Sequence, residues 1–196
     1  YIIISFIFKN LEVSLGKTKE KNSSLEKRYN WPRDQILKKI GILQRHISNS
    51  NQNTTLLAKA AVKKVLKKNN LSKVKFIISV TNTPTRVFPS LAHEVASLIN
   101  NSKNFMCIGI NSGCTGYVDA LYLASKLIKK NKDVIIVTSD TYSKYIDIND
   151  KSIRPIFSDG ASCTHLQYKK KNAWQVKKEF FQTERDTLEH LELKKE

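Results

Sequence analysis

Phe105-Met106-Cys107-Ile108-Gly109-Ile110, followed by Asn111-Ser112-Gly113-Cys114-Thr115-Gly116, is the stretch on which the fold turns. Its first six residues read as a buried strand. Over residues 115–130 apolar side chains recur at helical spacing, at Val118, Leu121, Ala124, Leu127 and Ile128. Cys114 therefore falls at a strand-to-helix junction. Free backbone N–H groups and the helix field both favour an anion there, which suits a thiolate nucleophile able to carry an acyl group. Gly113 and Gly116 permit a sharp turn and let a thioester carbonyl approach backbone donors that would hold an oxyanion. The competing reading of Cys114 is a buried, inert thiol packed as a small core residue.

On both sides of this junction, segments with strand and helix patterns alternate. Residues 1–8 read as a first strand, too short to span a bilayer and without the basic leading region of a signal peptide. Residues 11–30 are polar and charged, and read as surface loop and short helices. A short helix over 34–39 ends near Gly41, and residues 55–68 form a clearer one, with Leu56, Leu57, Ala60, Ala61 and Val65 on or near its packed face. Residues 74–80 read as a strand, and 90–99 as a helix behind a Ser90 cap. Another strand follows over 133–138, then a connection over 150–155 and a short strand with a glycine turn over 156–163. Trp174-Gln175-Val176 and residues 188–193 could supply edge strands. This order predicts a single α/β layer with helices on its faces.

Composition narrows the function classes. The cysteines, Cys107, Cys114 and Cys163, are odd in number and widely spaced, which favours a reducing, cytoplasmic setting over a disulfide framework or zinc site. Four scattered histidines, at 46, 93, 165 and 190, also argue against a metal centre. The formal charge is +17, from 34 Lys and Arg against 17 Asp and Glu, carried mostly as lysine pairs at element ends. That pattern fits solvated surfaces or steering of an acidic carrier or nucleotide phosphates, and contains no nucleic-acid-reading motif.

Several segments, in order, make the chain resemble beta-ketoacyl-acyl-carrier-protein synthase III of the thiolase superfamily. They are Ile40-Gly41-Ile42 with Arg45-His46-Ile47, Thr83-Pro84 with Phe88-Pro89-Ser90, the Asn111 to Gly116 run, the Asp140 to Tyr145 run, and Phe157-Ser158-Asp159-Gly160-Ala161. The resemblance implies a thiolase-like fold, with residues 1–196 as its N-terminal half, a mixed sheet covered by helices. It implies that Cys114 takes an acyl group from acyl-coenzyme A, a substrate and not a cofactor, with its own backbone N–H in the oxyanion hole. The acyl-enzyme would then condense with malonyl-acyl-carrier protein. Phe88 matches an aromatic at the homodimer interface that shapes the partner's acyl pocket; a buried loop anchor is the alternative. Lys39 falls near the family's coenzyme entrance and Arg45 in the adjacent motif, so that either could contact phosphate, or else serve as a solvated or ion-paired charge. Gly113, Gly116, Asp159 and Gly160 would support the site, and Ser158 stands where the family commonly has glycine. The family's catalytic histidine and asparagine belong to a later half with no match here, and His165 and His190 are not substitutes for them. An apolar face normally covered by that half is expected to be exposed. A noncatalytic acyl or carrier-protein binding module, or an acyltransferase without condensation, are the alternative readings.

Overall fold

The computed structural model describes residues 5–99 and 104–183. In chain order these residues form β1 (Ser5–Leu15), β2 (Thr18–Lys21), α1 (Asn22–Tyr29), α2 (Gln35–Ile40), β3 (Gln44–Ile47), α3 (Thr54–Lys68) and β4 (Val74–Val80). They continue as α4 (Leu91–Ala96), β5 (Met106–Ile110), α5 (Gly116–Leu127), β6 (Asp133–Asp140), β7 (Gly160–Tyr168) and β8 (Trp174–Gln175). Six strands make one mixed sheet in the order β5-β4-β6-β7-β1-β8. β4 is flanked in parallel by β5 and β6, whereas the β6–β7, β7–β1 and β1–β8 pairs are antiparallel. The parallel pairs arise because α4 and α5 supply the crossovers that parallel strands require. β2 and β3 pair separately, with Glu20 opposite Arg45.

β4 and β6 read as near-continuous apolar runs because both of their faces are covered. Ile77, Ile135 and Val137 join Leu57, Ala61 and Val65 of α3 and Leu91 and Val95 of α4 in one core. Ile78, Val80, Val134 and Ile136 join Ala120 and Ala124 of α5 in the other. α3 starts at Asn53, whose side chain accepts the Leu56 N–H. Ser90 precedes α4 but makes no side-chain cap bond; its Oγ lies 2.9 Å from His93 Nδ1 at the surface instead.

The packed helix faces differ from the sequence expectation in one consistent way. Leu56 is 48% exposed, and α3 buries Ala58 and Val62 beside Leu57, Ala61 and Val65. Val118 is 64% exposed, while α5 buries Gly116, Ala120, Ala124 and Ser125. Both helices press small residues against the sheet, and a helix with apolar residues over much of its circumference leaves the choice of face to tertiary contact.

Residues 11–30 are more regular than expected. β1 runs on to Leu15, because Leu11, Val13 and Leu15 alternate with polar residues at strand period, and β2 and α1 follow. Leu11 lies opposite Thr164, whose Oγ1 is 3.1 Å from the Tyr117 hydroxyl of α5. Exposed Leu11, Val13 and Leu15 thus line the α5 side of the sheet beyond that helix. Val118 on α5 is exposed as well. Trp174-Gln175 is an edge strand on β1, as expected. The expected beginning of the first strand at residues 1–4, the edge strand at 188–193, and His190 lie outside the described residues. None of the described helices is long and apolar enough to cross a membrane.

Candidate active site

Cys114 sits in a single 3-10 turn, Gly113–Thr115, between the end of β5 and the start of α5, and its side chain is exposed. The inert core reading is thereby excluded. Gly113 has φ +54°, a backbone conformation that a side chain would strain. Gly116 is needed for a different reason: a Cβ there would lie 2.5 Å from Val80 Cγ1, so only glycine lets α5 begin this close to β4. The bonds of the turn run from Thr115 N–H to Ser112 O and from Gly116 N–H to Gly113 O. Neither uses the Cys114 N–H, which leaves that donor for an oxyanion.

The turn is held from β4 and β6. Asn82, just beyond β4, accepts the Gly113 N–H at 3.1 Å through Oδ1 and donates through Nδ2 to the Tyr142 hydroxyl at 3.0 Å. Asp140, at the end of β6, accepts from the backbone N–H groups of Asn82 at 2.8 Å and Thr83 at 3.0 Å. It also accepts from the Thr81 and Thr83 hydroxyls at 3.2 and 2.8 Å. Burial pushes the Asp140 carboxyl above its ordinary range, against the opposing pull of those four donors. Burial also raises Tyr142, and the Asp140 charge adds to that shift, so the phenol remains protonated at neutral pH. Sequence reasoning noticed Thr83, Asp140 and Tyr142 only as motif members and overlooked Asn82. The contacts that join them span 31 to 60 positions.

Asp159 and Arg45 turn out to be structural. Asp159 is fully buried and takes the Ser48 N–H at 2.7 Å and the Ser143 N–H at 2.9 Å, and also accepts from the Ser143 hydroxyl. Its own N–H donates to His46 O, and its carbonyl accepts from Gly16 N–H, so one residue ties three loops together beside the site. Ser158 Oγ accepts the His46 N–H at 3.1 Å. Gly160 opens β7, and a Cβ there would meet Leu15 Cδ2 at 3.4 Å, an ordinary contact, so its support comes from strand pairing and not from lack of a side chain.

The expectation that Arg45 contacts phosphate is corrected. Its side chain is 0% exposed, paired with Glu20 at 3.0 Å, and bonded to Asn22 Oδ1 at 3.0 Å and Pro155 O at 3.1 Å. Arg154 binds the other Glu20 oxygen at 2.8 Å. Lys39 is exposed near the end of α2, where it remains open to solvent and to anions. Phe88 is 87% exposed, which removes the buried-anchor alternative.

The remaining thiols are poor nucleophiles. Burial raises Cys107, and it raises Cys163 to about 12. His165 is buried, with Nε2 2.9 Å from Asp133 Oδ2 at the start of β6, the opposite end of that strand from Asp140. Among the described residues no three His, Cys, Asp or Glu side chains gather into a group that could hold a metal.

Comparison with known proteins agrees with this geometry. Residues 108–184, which include the cysteine turn, match a family model described as 3-oxoacyl-[acyl-carrier-protein (ACP)] synthase III. A beta-ketoacyl-[acyl-carrier-protein] synthase III from Coxiella burnetii is 32% identical over 151 residues, which are 74% of this chain and 47% of that protein. A crystal structure of a 3-oxoacyl-(acyl-carrier-protein) synthase III superposes with a TM-score of 0.78 at 31% identity, covering 85% of this chain and 51% of the other. The synthase III from Thermus thermophilus gives 0.77 at 26% identity, over 84% of this chain and 52% of that one. The chain spans about half the length of the relatives it matches. Sequence and fold together make it a relative of the beta-ketoacyl-acyl-carrier-protein synthases III, thiolase-like in fold and matched over about half of their length.

Proposed function

We propose that this chain supplies the acyl-accepting part of a beta-ketoacyl-acyl-carrier-protein synthase III. The observation that carries the reading is Cys114, exposed on a glycine-bounded turn ahead of α5, with a backbone N–H not used by the turn. In the acylation step the Cys114 sulfur attacks the thioester carbonyl of acyl-coenzyme A. The carbonyl oxygen takes negative charge beside the Cys114 N–H, and the tetrahedral species collapses with departure of coenzyme A thiolate. The transfer calls for no metal or redox cofactor.

In the intact enzyme, malonyl-acyl-carrier protein would lose carbon dioxide and its carbanion would attack the Cys114 thioester, freeing the thiol. The groups for that step are the histidine and asparagine that the resemblance assigns to the other half. Lys39 remains open to the coenzyme phosphates, and the wider excess of lysine favours approach of an acidic carrier protein. Exposed Phe88 fits a place at a homodimer interface. The same reading places the protein in fatty-acid synthesis in the cytoplasm.

Intact-protein mass spectrometry after incubation with a panel of acyl-coenzyme A donors tests this. Wild type should gain one acyl mass, and Cys114→Ala none; Cys107 and Cys163, both present in the variant, act as internal controls. A folded wild-type chain that takes no acyl group, or an equal adduct on Cys114→Ala, would overturn the proposal.

A further inference from the structure

β4, β5 and β6 run parallel and lead at one end to Asn82, Cys114 and Asp140, so their opposite ends gather at the far edge of the sheet. Lysines collect there from separate connections. Lys73 precedes β4, Lys130 lies in the turn before β6, Lys169 and Lys170 follow β7, and Lys68 ends α3. Lys9 joins them from β1, where the register slips between Phe8 and Asn10. Two adjoining pockets lie among these side chains. One, of about 350 Å³, is lined by Lys9, Lys68, Asn70, Ser72, Lys73 and His165 among others. The other, of about 720 Å³, is lined by Lys130, Lys169 and Lys170, and shares Lys73, Asp133 and Gln167 with the first. Both volumes are within the roughly 300–1,000 Å³ usual for small-molecule sites.

The fold neutralises little of this charge. Glu12 takes Lys68 at 2.6 Å, and Asp133 is occupied by His165 Nε2 at 2.9 Å and Gln167 Nε2 at 3.3 Å. Lys9, Lys73, Lys130, Lys169 and Lys170 form no ion pair among the described residues. The carbonyl end of α3 adjoins the smaller pocket and would repel an anion, but Asn69 donates to Val65 O through its backbone N–H at 3.0 Å and through Nδ2 at 3.1 Å.

His165, in the wall of the smaller pocket, supplies an independent sign of a ligand. Its side chain is 2% exposed, and its buried Nδ1 has no hydrogen-bond partner among the described residues. The Asp133 oxygen that accepts from the Gln167 amide accepts from His165 as well, so Nε2 carries the ring proton and Nδ1 presents a lone pair. A buried nitrogen in that state is costly, and what it lacks is a donor. A phosphate monoester brings both missing features. Its charged oxygens suit the lysines, and with a second pKa of about 6 it keeps, for part of the time near neutrality, a P–OH to donate.

We propose that this end of the sheet, remote from Cys114, is a binding site for a small phosphate monoester that carries a second anionic group. The phosphate sits in the smaller pocket between Lys9, Lys73 and His165, donating its hydroxyl to Nδ1. The second anionic group lies along Lys130, Lys169 and Lys170. The site is independent of the reading of Cys114.

Calorimetric titration with inorganic phosphate at neutral pH tests this, together with the imidazole nitrogen NMR signals. Phosphate should bind saturably and move the His165 Nδ1 signal, leaving those of His46 and His93 in place. Lys9, Lys27 and Lys73 are exposed, so their variants should fold. Lys9→Gln and Lys73→Gln should each weaken binding about tenfold or more, and Lys27→Gln, on distant α1, should leave it unchanged. Sulfate has the charge but no proton to give, and should bind at least about tenfold more weakly than phosphate. Fructose 1,6-bisphosphate should bind more tightly than phosphate, and lose that advantage in a Lys169→Gln, Lys170→Gln double variant. No saturable binding, an equal loss in Lys27→Gln, or an unmoved His165 signal overturns the site. Sulfate as tight as phosphate overturns the contact to Nδ1, and a bisphosphate no tighter than phosphate overturns the part of the larger pocket.

Discussion

Removing Glu20 should unfold this chain more readily than removing either arginine that it neutralises. Glu20 Oε2 lies 3.0 Å from Arg45 Nε, and Oε1 lies 2.8 Å from Arg154 Nη2. The arginine side chains are 0% and 4% exposed. Glu20→Ala therefore leaves two buried guanidinium groups without a counter-charge, and Arg154 already has one nitrogen, Nη1, without a partner. Breaking a buried pair from one side is destabilising by about 3–5 kcal/mol, against a total of about 5–15 kcal/mol for a domain. With a urea dependence of about 2 kcal/mol per M, a loss of about 4 kcal/mol moves the unfolding midpoint down by about 2 M. Arg45→Met should move it less, because Glu20 then still has Arg154. The assay is urea unfolding followed by circular dichroism, with Cys114 labelling on the folded fraction. A midpoint shift below about 0.5 M for Glu20→Ala, or a larger shift for Arg45→Met, would refute the buried-network argument. So would an Arg45→Met chain of undiminished stability that has lost coenzyme-dependent labelling.

Gly116→Ala puts a Cβ 2.5 Å from Val80 Cγ1, so α5 must shift; overpacking of this kind is destabilising by about 1–3 kcal/mol, and Cys114 acylation should slow with it. Wild-type unfolding midpoint and labelling rate in that variant would show the site indifferent to α5 placement. Asp140→Asn probes pH dependence. Burial raises the folded carboxyl above its reference value of 3.8, so the Asp140 contribution is fully present below that value and is lost as pH rises through the folded pKa. Wild-type stability minus that of Asp140→Asn should therefore fall in urea melts as pH is raised from below 3.8 through the folded pKa; a difference that grows with pH contradicts the sign.

What sequence could show was local. The strand, turn and helix around Cys114 are contiguous, and Gly113 and Gly116 mark the positive φ and the close approach to Val80 at the positions where the structure needs them. Resemblance added the order of the motifs, and among them Asp159 is buried and bonded to Ser48 and Ser143. The errors have a different origin. Arg45 looked like a ligand for phosphate because a charge in a sequence carries no record of burial; its partner Glu20 is 25 positions away, and the two meet only when β2 pairs with β3. A sign of that pairing was present, since an acid and a base fall directly opposite once the strands are in register. For Asn82 and Tyr142 there was no comparable sign. Neither residue type is unusual in a loop, and their joint effect exists only because parallel β4, β5 and β6 bring three loop starts to one end of the sheet. A nucleophile can be recognised from the turn that presents it, whereas what surrounds the group it carries is assembled from strand ends far apart in the chain. In this protein the cysteine turn was therefore legible before the Asn82 and Tyr142 contacts that hold it.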